Sequence, residues 1–127
     1  MNARLKYISY KGKRILYVDY SNLSGELAKE AMGLLDDEAN EMRTWTQRGL
    51  VLSDFRNSKA NSEFIAYGKK LGKEVFADKV LKSACIGITG VQSILLQAYN
   101  AFSKDKIVPF ATEEDAKEWL IKDESRV

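Results

Sequence analysis

Apolar positions fall into about five short runs and about four longer stretches at helical spacing. Leu5 to Tyr10 and Arg14 to Tyr20 read as strands, and the link Lys11-Gly12-Lys13 between them predicts an antiparallel hairpin. Ile15-Leu16-Tyr17-Val18 is apolar at every position, as an interior strand covered on both faces would be. Leu50-Val51-Leu52, after Gly49, predicts a buried strand with Asp54 at its end, and Ser83 to Thr89 predicts another. The run Lys106 to Phe110 holds the only proline, Pro109, which lacks a ladder donor. It is therefore expected at the edge of the sheet.

Between these runs the period changes to that of a helix. Leu27, Ala31, Leu34, Leu35, Met42 and Trp45 form one stripe after a loop whose Ser24 is placed to cap. Gly33 inside that stretch predicts a close packing contact, and Asp36-Asp37-Glu38 predicts a solvated acidic face rather than a cation site. A second helix should start near Ala60 with Ser58 as its cap, bury Phe64, Ile65, Leu71, Val75 and Phe76, and break near Gly72. Its outer side is basic, with Lys69, Lys70, Lys73, Lys79 and Lys82. Thr89-Gly90-Val91-Gln92 has capping-box spacing ahead of a third helix with a stripe of Ile94, Leu95, Ala98, Tyr99 and Phe102. Thr112 caps a last helix that turns Ala116, Trp119 and Leu120 inward. The predicted order is β-β-α-β-α-β-α-β-α, an α/β mixed sheet of about five strands with about four helices. It spans residues 1–127 as a single domain, with a polar tail from about 123.

Composition narrows the chemistry. The chain has 127 residues, a net charge of +2 and no histidine, so histidine metal sites, histidine bases and histidine-containing triads are all excluded. No phosphate loop, three-glycine fingerprint or nucleophile elbow is present. These points predict a non-enzymatic protein with no cofactor and no metal site. The lone Cys85 lies in an apolar run and reads as a buried small hydrophobe. The basic second-helix face lacks interleaved aromatics, and total charge is nearly balanced, so nucleic acid is not an expected partner. No apolar run is long enough to insert in a membrane and no leader-like segment opens the chain. A cytoplasmic location is the default expectation.

A strand that feeds a helix through a polar turn is where open α/β sheets gather working groups, because strand ends and helix N-termini converge there. The stretch Leu50 to Ser62 is such a turn. The candidate contact surface is the rim formed by Ser21 to Gly25, Arg56 to Ser62 and Thr89-Gly90, with Asp54, Arg56, Asn57, Ser58, Lys59, Ser62, Ser24, Thr89 and Gly90 as its residues. Asp54 is expected to organise the turn by accepting backbone N–H bonds. Arg56 and Lys59 give the rim positive charge, which suits an acidic or phosphorylated surface of another protein. Self-association into a homo-oligomer is left open.

The strand order, the helix after each later strand and the ending "IVPFATEEDAKEWL" (Ile107 to Leu120) resemble the STAS-like family. That family includes the anti-sigma-factor antagonists and a bacterial branch compared with CRAL-TRIO lipid-transfer domains. The resemblance implies a regulatory binding module. It also implies a phosphorylatable serine at the helix after the central strand, a place that Ser58 or Ser62 would fill, although the family's Asp-Ser pair and following glycine are missing. The lipid-transfer side of the comparison implies an alternative: a carrier or sensor of a small apolar or lipid-like ligand, with a pocket between the sheet and the second and third helices. A third reading comes from Leu52-Ser53-Asp54-Phe55-Arg56, which is similar to the phosphoacceptor strand of response-regulator receivers. Val108 stands where a receiver has the lysine before its proline, and Asp19 stands alone where a receiver has an acidic pair.

Overall fold

In a computed structural model, which describes residues 2–23, 28–59, 61–102 and 106–122, β1 (Leu5–Tyr10) and β2 (Lys13–Asp19) form the expected antiparallel hairpin. Lys11 (φ 48°) and Gly12 (φ 83°) both take the left-handed backbone, which matches the twist of the flanking strands in a two-residue turn. The chain then alternates. Helix α1 (Ala28–Arg43) leads to β3 (Gly49–Asp54). Helix α2 follows, α-helical over Ser62–Leu71, π-helical over Gly72–Phe76 and α-helical again over Ala77–Lys79. Next come β4 (Val80–Ile86), α3 (Val91–Phe102), β5 (Ile107–Phe110) and α4 (Glu113–Ile121). The sheet order is β1-β2-β3-β4-β5, with β2 to β5 parallel, so β5 and its Pro109 lie at an edge. The break expected near Gly72 is the π-helical turn.

The period of two in β2 and β3 divides the core between the two faces of the sheet. Leu16, Val18 and Val51 pack against Leu34, Leu35 and Met42 of α1 and Leu71, Val75 and Phe76 of α2. Ile15, Tyr17, Leu50 and Leu52 face the other way, onto Ala116 and Leu120 of α4. Each fully buried aliphatic among them is worth about 1.5–3 kcal/mol, so the stripe of α1, rather than local propensity, sets its rotation. Helix α3 shares the α1–α2 side, where Tyr99 comes close to Gly68 of α2. Cys85 is buried, and desolvation pushes its thiol up to about 12, which leaves it unreactive.

Four expectations about single residues need correction. Gly33 makes no close contact, because it lies on the exposed side of α1. Glu38 is buried rather than solvated, since it accepts the Tyr20 hydroxyl at 2.8 Å. Lys82 belongs to β4, not to the outer face of α2, and is buried, with its ammonium on the carbonyl of Trp119. On α3, Ile94 is 65% exposed and Ala98 is exposed too, so the inward stripe runs through Leu95, Leu96 and Tyr99. The side chains of Leu27 and Phe102 lie outside the described residues.

Candidate functional site

At the C-terminal edge of the parallel strands the backbone ladder continues past the strand ends. Tyr20 N donates to Asp54 O at 2.8 Å and Phe55 N to Ile86 O at 2.9 Å. The loops are then tied to each other: Asn22 N donates to Arg56 O (2.9 Å) and Lys59 N to Leu23 O (3.2 Å). Asn22 (φ 61°) and Asn57 (φ 57°) make these turns from the left-handed region, which asparagine tolerates better than most residues. Gly87 sits directly beneath the turn. Its φ is +85°, and a Cβ there would collide with Arg56 N and lie 2.7 Å from Arg56 Cα and Phe55 C. A side chain at position 87 would push the β3–α2 turn off the sheet.

Asp54 ends β3 with its side chain only 3% exposed. Burial alone would raise its pKa. Four donations outweigh that and hold the carboxyl below its ordinary value: Arg56 N (3.0 Å), Arg56 Nε (3.0 Å), Arg56 Nη2 (2.7 Å) and Tyr17 Oη (2.6 Å). Tyr17 responds in the opposite sense. Burial, then its bond to the Asp54 carboxylate, pushes the phenol well up. The guanidinium of Arg56 also lies 3.9 Å from Glu113 of α4, so the positive charge expected from Arg56 is largely answered within the fold. Lys59 is exposed, and no carboxylate among the described residues pairs with it.

The remaining candidates are spread along the same edge. Asn57 is exposed, and Ser58, half-buried, closes its turn through Ser58 N to Phe55 O at 3.1 Å. Ser58 is not the helix cap. Asn61 is, its side chain accepting from Phe64 N at 2.8 Å, which leaves Ser62 exposed at the first position of α2. Thr89 and Gly90 are exposed ahead of α3, where Thr89 O accepts from Gln92 N (3.1 Å) and Gly90 O from Ser93 N (3.0 Å). Ser24, with Gly25 and Ala60, lies outside the described residues. Asn22 and Asn61 lie within the expected rim segments without having been singled out, and Gly87 lies outside them. An asparagine one residue before a Ser-Glu helix start signals a cap. Nothing local signals that Gly87 supports a turn thirty residues earlier in the chain.

Below the rim, Tyr20, Phe55 and Phe64 form an aromatic cluster. Tyr20 stacks on Phe55 at 5.1 Å, and Phe64 meets both rings edge-on. The cluster borders a cavity of about 80 Å³ between the sheet, α2 and α3, lined by Val51, Phe64, Ile65, Leu95 and Tyr99, with Glu38 among its polar groups.

No protein-family model matches the chain, and no curated protein matches it. Among solved structures, it is similar to an uncharacterized protein of the DUF3478 family with a SpoIIAA-like fold, from Shewanella loihica PV-4. The TM-score is 0.64 at 19% identity, over 91% of each chain. The fold is STAS-like. At this identity the likeness extends to architecture: the five-strand mixed sheet and four helices of a STAS-like domain, with the order expected from the sequence. Among the described residues, no helix is long and apolar enough to cross a membrane.

Proposed function

We propose that this STAS-like domain is a non-enzymatic regulatory binding module of the cytoplasm whose partner-contact surface is the rim. The observation that carries this reading is the backbone lashing of the strand-end loops, Asn22 to Arg56 and Lys59 to Leu23, over Gly87. It holds Asn57 and Lys59 exposed on a turn tied down before any partner arrives, which lowers the entropic cost of binding, and Ser62 is exposed nearby at the start of α2. Lys59 and the N-terminus of α2 favour an acidic or phosphorylated protein surface. Ser62 is the better phosphoacceptor of the two serines, because it is exposed at a helix N-terminus where added negative charge is favoured, whereas Ser58 is half-buried. Photo-crosslinking in the native host tests the surface. A benzophenone side chain at Ser62 or Thr89 should yield a protein adduct that is lost with Lys59→Glu. The same group at Asn40 on α1 should yield none, and adducts from Asn40 alone would place the interface elsewhere.

A second reading is a carrier of a small apolar or lipid-like ligand, supported by the apolar lining of the cavity. At about 80 Å³ the cavity would have to widen toward the roughly 300–1,000 Å³ of small-molecule sites. Phe64, Ile65 and Tyr99 border it, and Glu38 and Tyr20 supply a polar end. Native mass spectrometry of the purified protein should show a retained apolar ligand that is absent from Phe64→Ala. Phe64 is half-buried rather than buried as expected, so its truncation should cost less than the roughly 3–5 kcal/mol of a fully buried phenylalanine. If wild type carries nothing and Phe64→Ala only lowers stability in that way, the residue serves packing and the carrier reading fails.

A further inference from the structure

A wide opening lies at the opposite edge, where the parallel strands begin and α1 and α4 end. It is a cleft of about 920 Å³, within the size range of small-molecule sites. Among the described residues its charge is one-sided: Lys13, Arg14, Arg48, Lys82 and Lys122 border it, against one carboxylate, that of Glu41. That carboxylate already accepts the Tyr7 hydroxyl at 2.5 Å. Lys82 is committed to the fold, through the carbonyls at the end of α4 and the face of Trp119. Lys13, Arg14 and Arg48 are exposed and form no ion pair among the described residues, and Arg48 makes only a long donation to the Val80 carbonyl at 3.5 Å.

Two features separate this cleft from a scatter of solvated charges. The Arg14 guanidinium is held 4.3 Å from the centre of the Tyr7 ring, and Tyr7 is itself fixed by Trp45 Nε1 at 2.7 Å and by Glu41. A planar fork oriented in this way can take two oxygens of one carboxylate, sulfonate or phosphate. The floor between the cations is apolar, built from Leu50, Ile121 and Trp45, with Leu81 61% exposed beside them. A bare inorganic anion would leave that floor wet, and a neutral apolar ligand would leave the cations unanswered.

We propose that this cleft is a binding site for an amphipathic organic polyanion, a soluble molecule with two or more acidic oxygen groups on a flat apolar body. Arg14, Arg48 and Lys13 take the acidic groups, and Trp45, Leu81 and Ile121 cover the body. The site is independent of the rim, which lies at the other end of the same strands.

The trisulfonated pyrene dye pyranine serves as the probe, read by fluorescence anisotropy. Saturable one-to-one binding that weakens with added salt is expected. Arg14→Glu with Arg48→Glu should weaken it by about tenfold or more, as expected when two exposed attractions become repulsions. Lys59→Glu at the rim should leave it unchanged, so failure of this site and failure of the rim are distinguishable. Should the change at Arg14 loosen Tyr7 and lower the melting temperature, Arg48→Glu alone carries the test, because Arg48 is exposed. Inorganic tripolyphosphate should compete only weakly, for want of an apolar body. No saturable binding, binding indifferent to both arginines, or tripolyphosphate competing as well as pyranine itself would overturn the proposal. So would anionic phospholipid vesicles or a single-stranded oligonucleotide binding through Arg14 and Arg48 while pyranine does not.

Discussion

At the C-terminal ends of β2, β3 and β4 the guanidinium of Arg56 meets the buried Asp54 carboxylate and lies near Glu113. At the N-terminal ends of the same strands Arg14 and Arg48 meet no carboxylate that pairs with them among the described residues. Both ends carry cations, yet one end uses its cation to hold a turn together and the other leaves its cations facing a cleft. The difference follows from what the strands deliver. β3 ends in Asp54, whose burial would be costly without donors, so the next turn supplies them. β4 begins with Val80, Leu81 and Lys82, and the nearest acceptors are helix-end carbonyls, which Lys82 satisfies with hydrogen bonds but without cancelling charge. A cation near a strand end is therefore a binding group only where the fold has not already answered it.

The comparison can be broken most severely at Gly87. Replacing it with alanine forces a Cβ into the Arg56 backbone at a φ of +85°. A loss of about 3 kcal/mol or more is expected in urea unfolding, the range of mutations that combine steric clash with backbone strain. Gly90 sharpens the point. It also has positive φ, +54°, but nothing within 4 Å, so Gly90→Ala should cost only the left-handed penalty of about 1–2 kcal/mol. Equal losses at the two positions would mean that Gly87 is needed for its dihedral angle alone.

Arg56→Ala should cost about 1–2 kcal/mol. That is less than the loss for a fully enclosed pair, because the Arg56 side chain is 58% exposed and water can replace part of its role. The effect has a pH signature. Asp54 is held below its unfolded pKa, so its contribution is fully present above that value and fades as pH falls through the lower folded one. The gap in melting temperature between wild type and Asp54→Asn should therefore be constant near neutrality and shrink below about pH 4. A gap as large at pH 3 as at neutrality would show that Asp54 acts through shape rather than charge.

Opposite-edge changes should be milder. Lys82→Met keeps the apolar stem and loses the carbonyl bonds, so about 1 kcal/mol or less is expected from thermal melts. Arg48→Ala should stay within about 0.5 kcal/mol. A larger loss there would show that the cleft cations, like Arg56, serve the fold.

Much of this architecture was legible in the chain itself. The unbroken apolar run Ile15-Leu16-Tyr17-Val18 determines a strand buried on both faces, the Gly12 link determines a hairpin, and Pro109 determines an edge strand, because each depends on neighbours within a few residues. The rim's location was legible for the same reason, as polar turns between apolar strands and helical stripes. What tertiary structure alone decided is which polar groups are already in use. Glu38 looked solvated until Tyr20 met it, and Lys82 looked like helix surface until β4 placed it against the end of α4. Arg56 looked available until Asp54 took it, and Gly87 looked ordinary until the turn after β3 settled on it. Periodicity reports the sign of a residue's preference for water. Pairing across the sheet depends on groups distant in sequence whose separation only the folded chain sets.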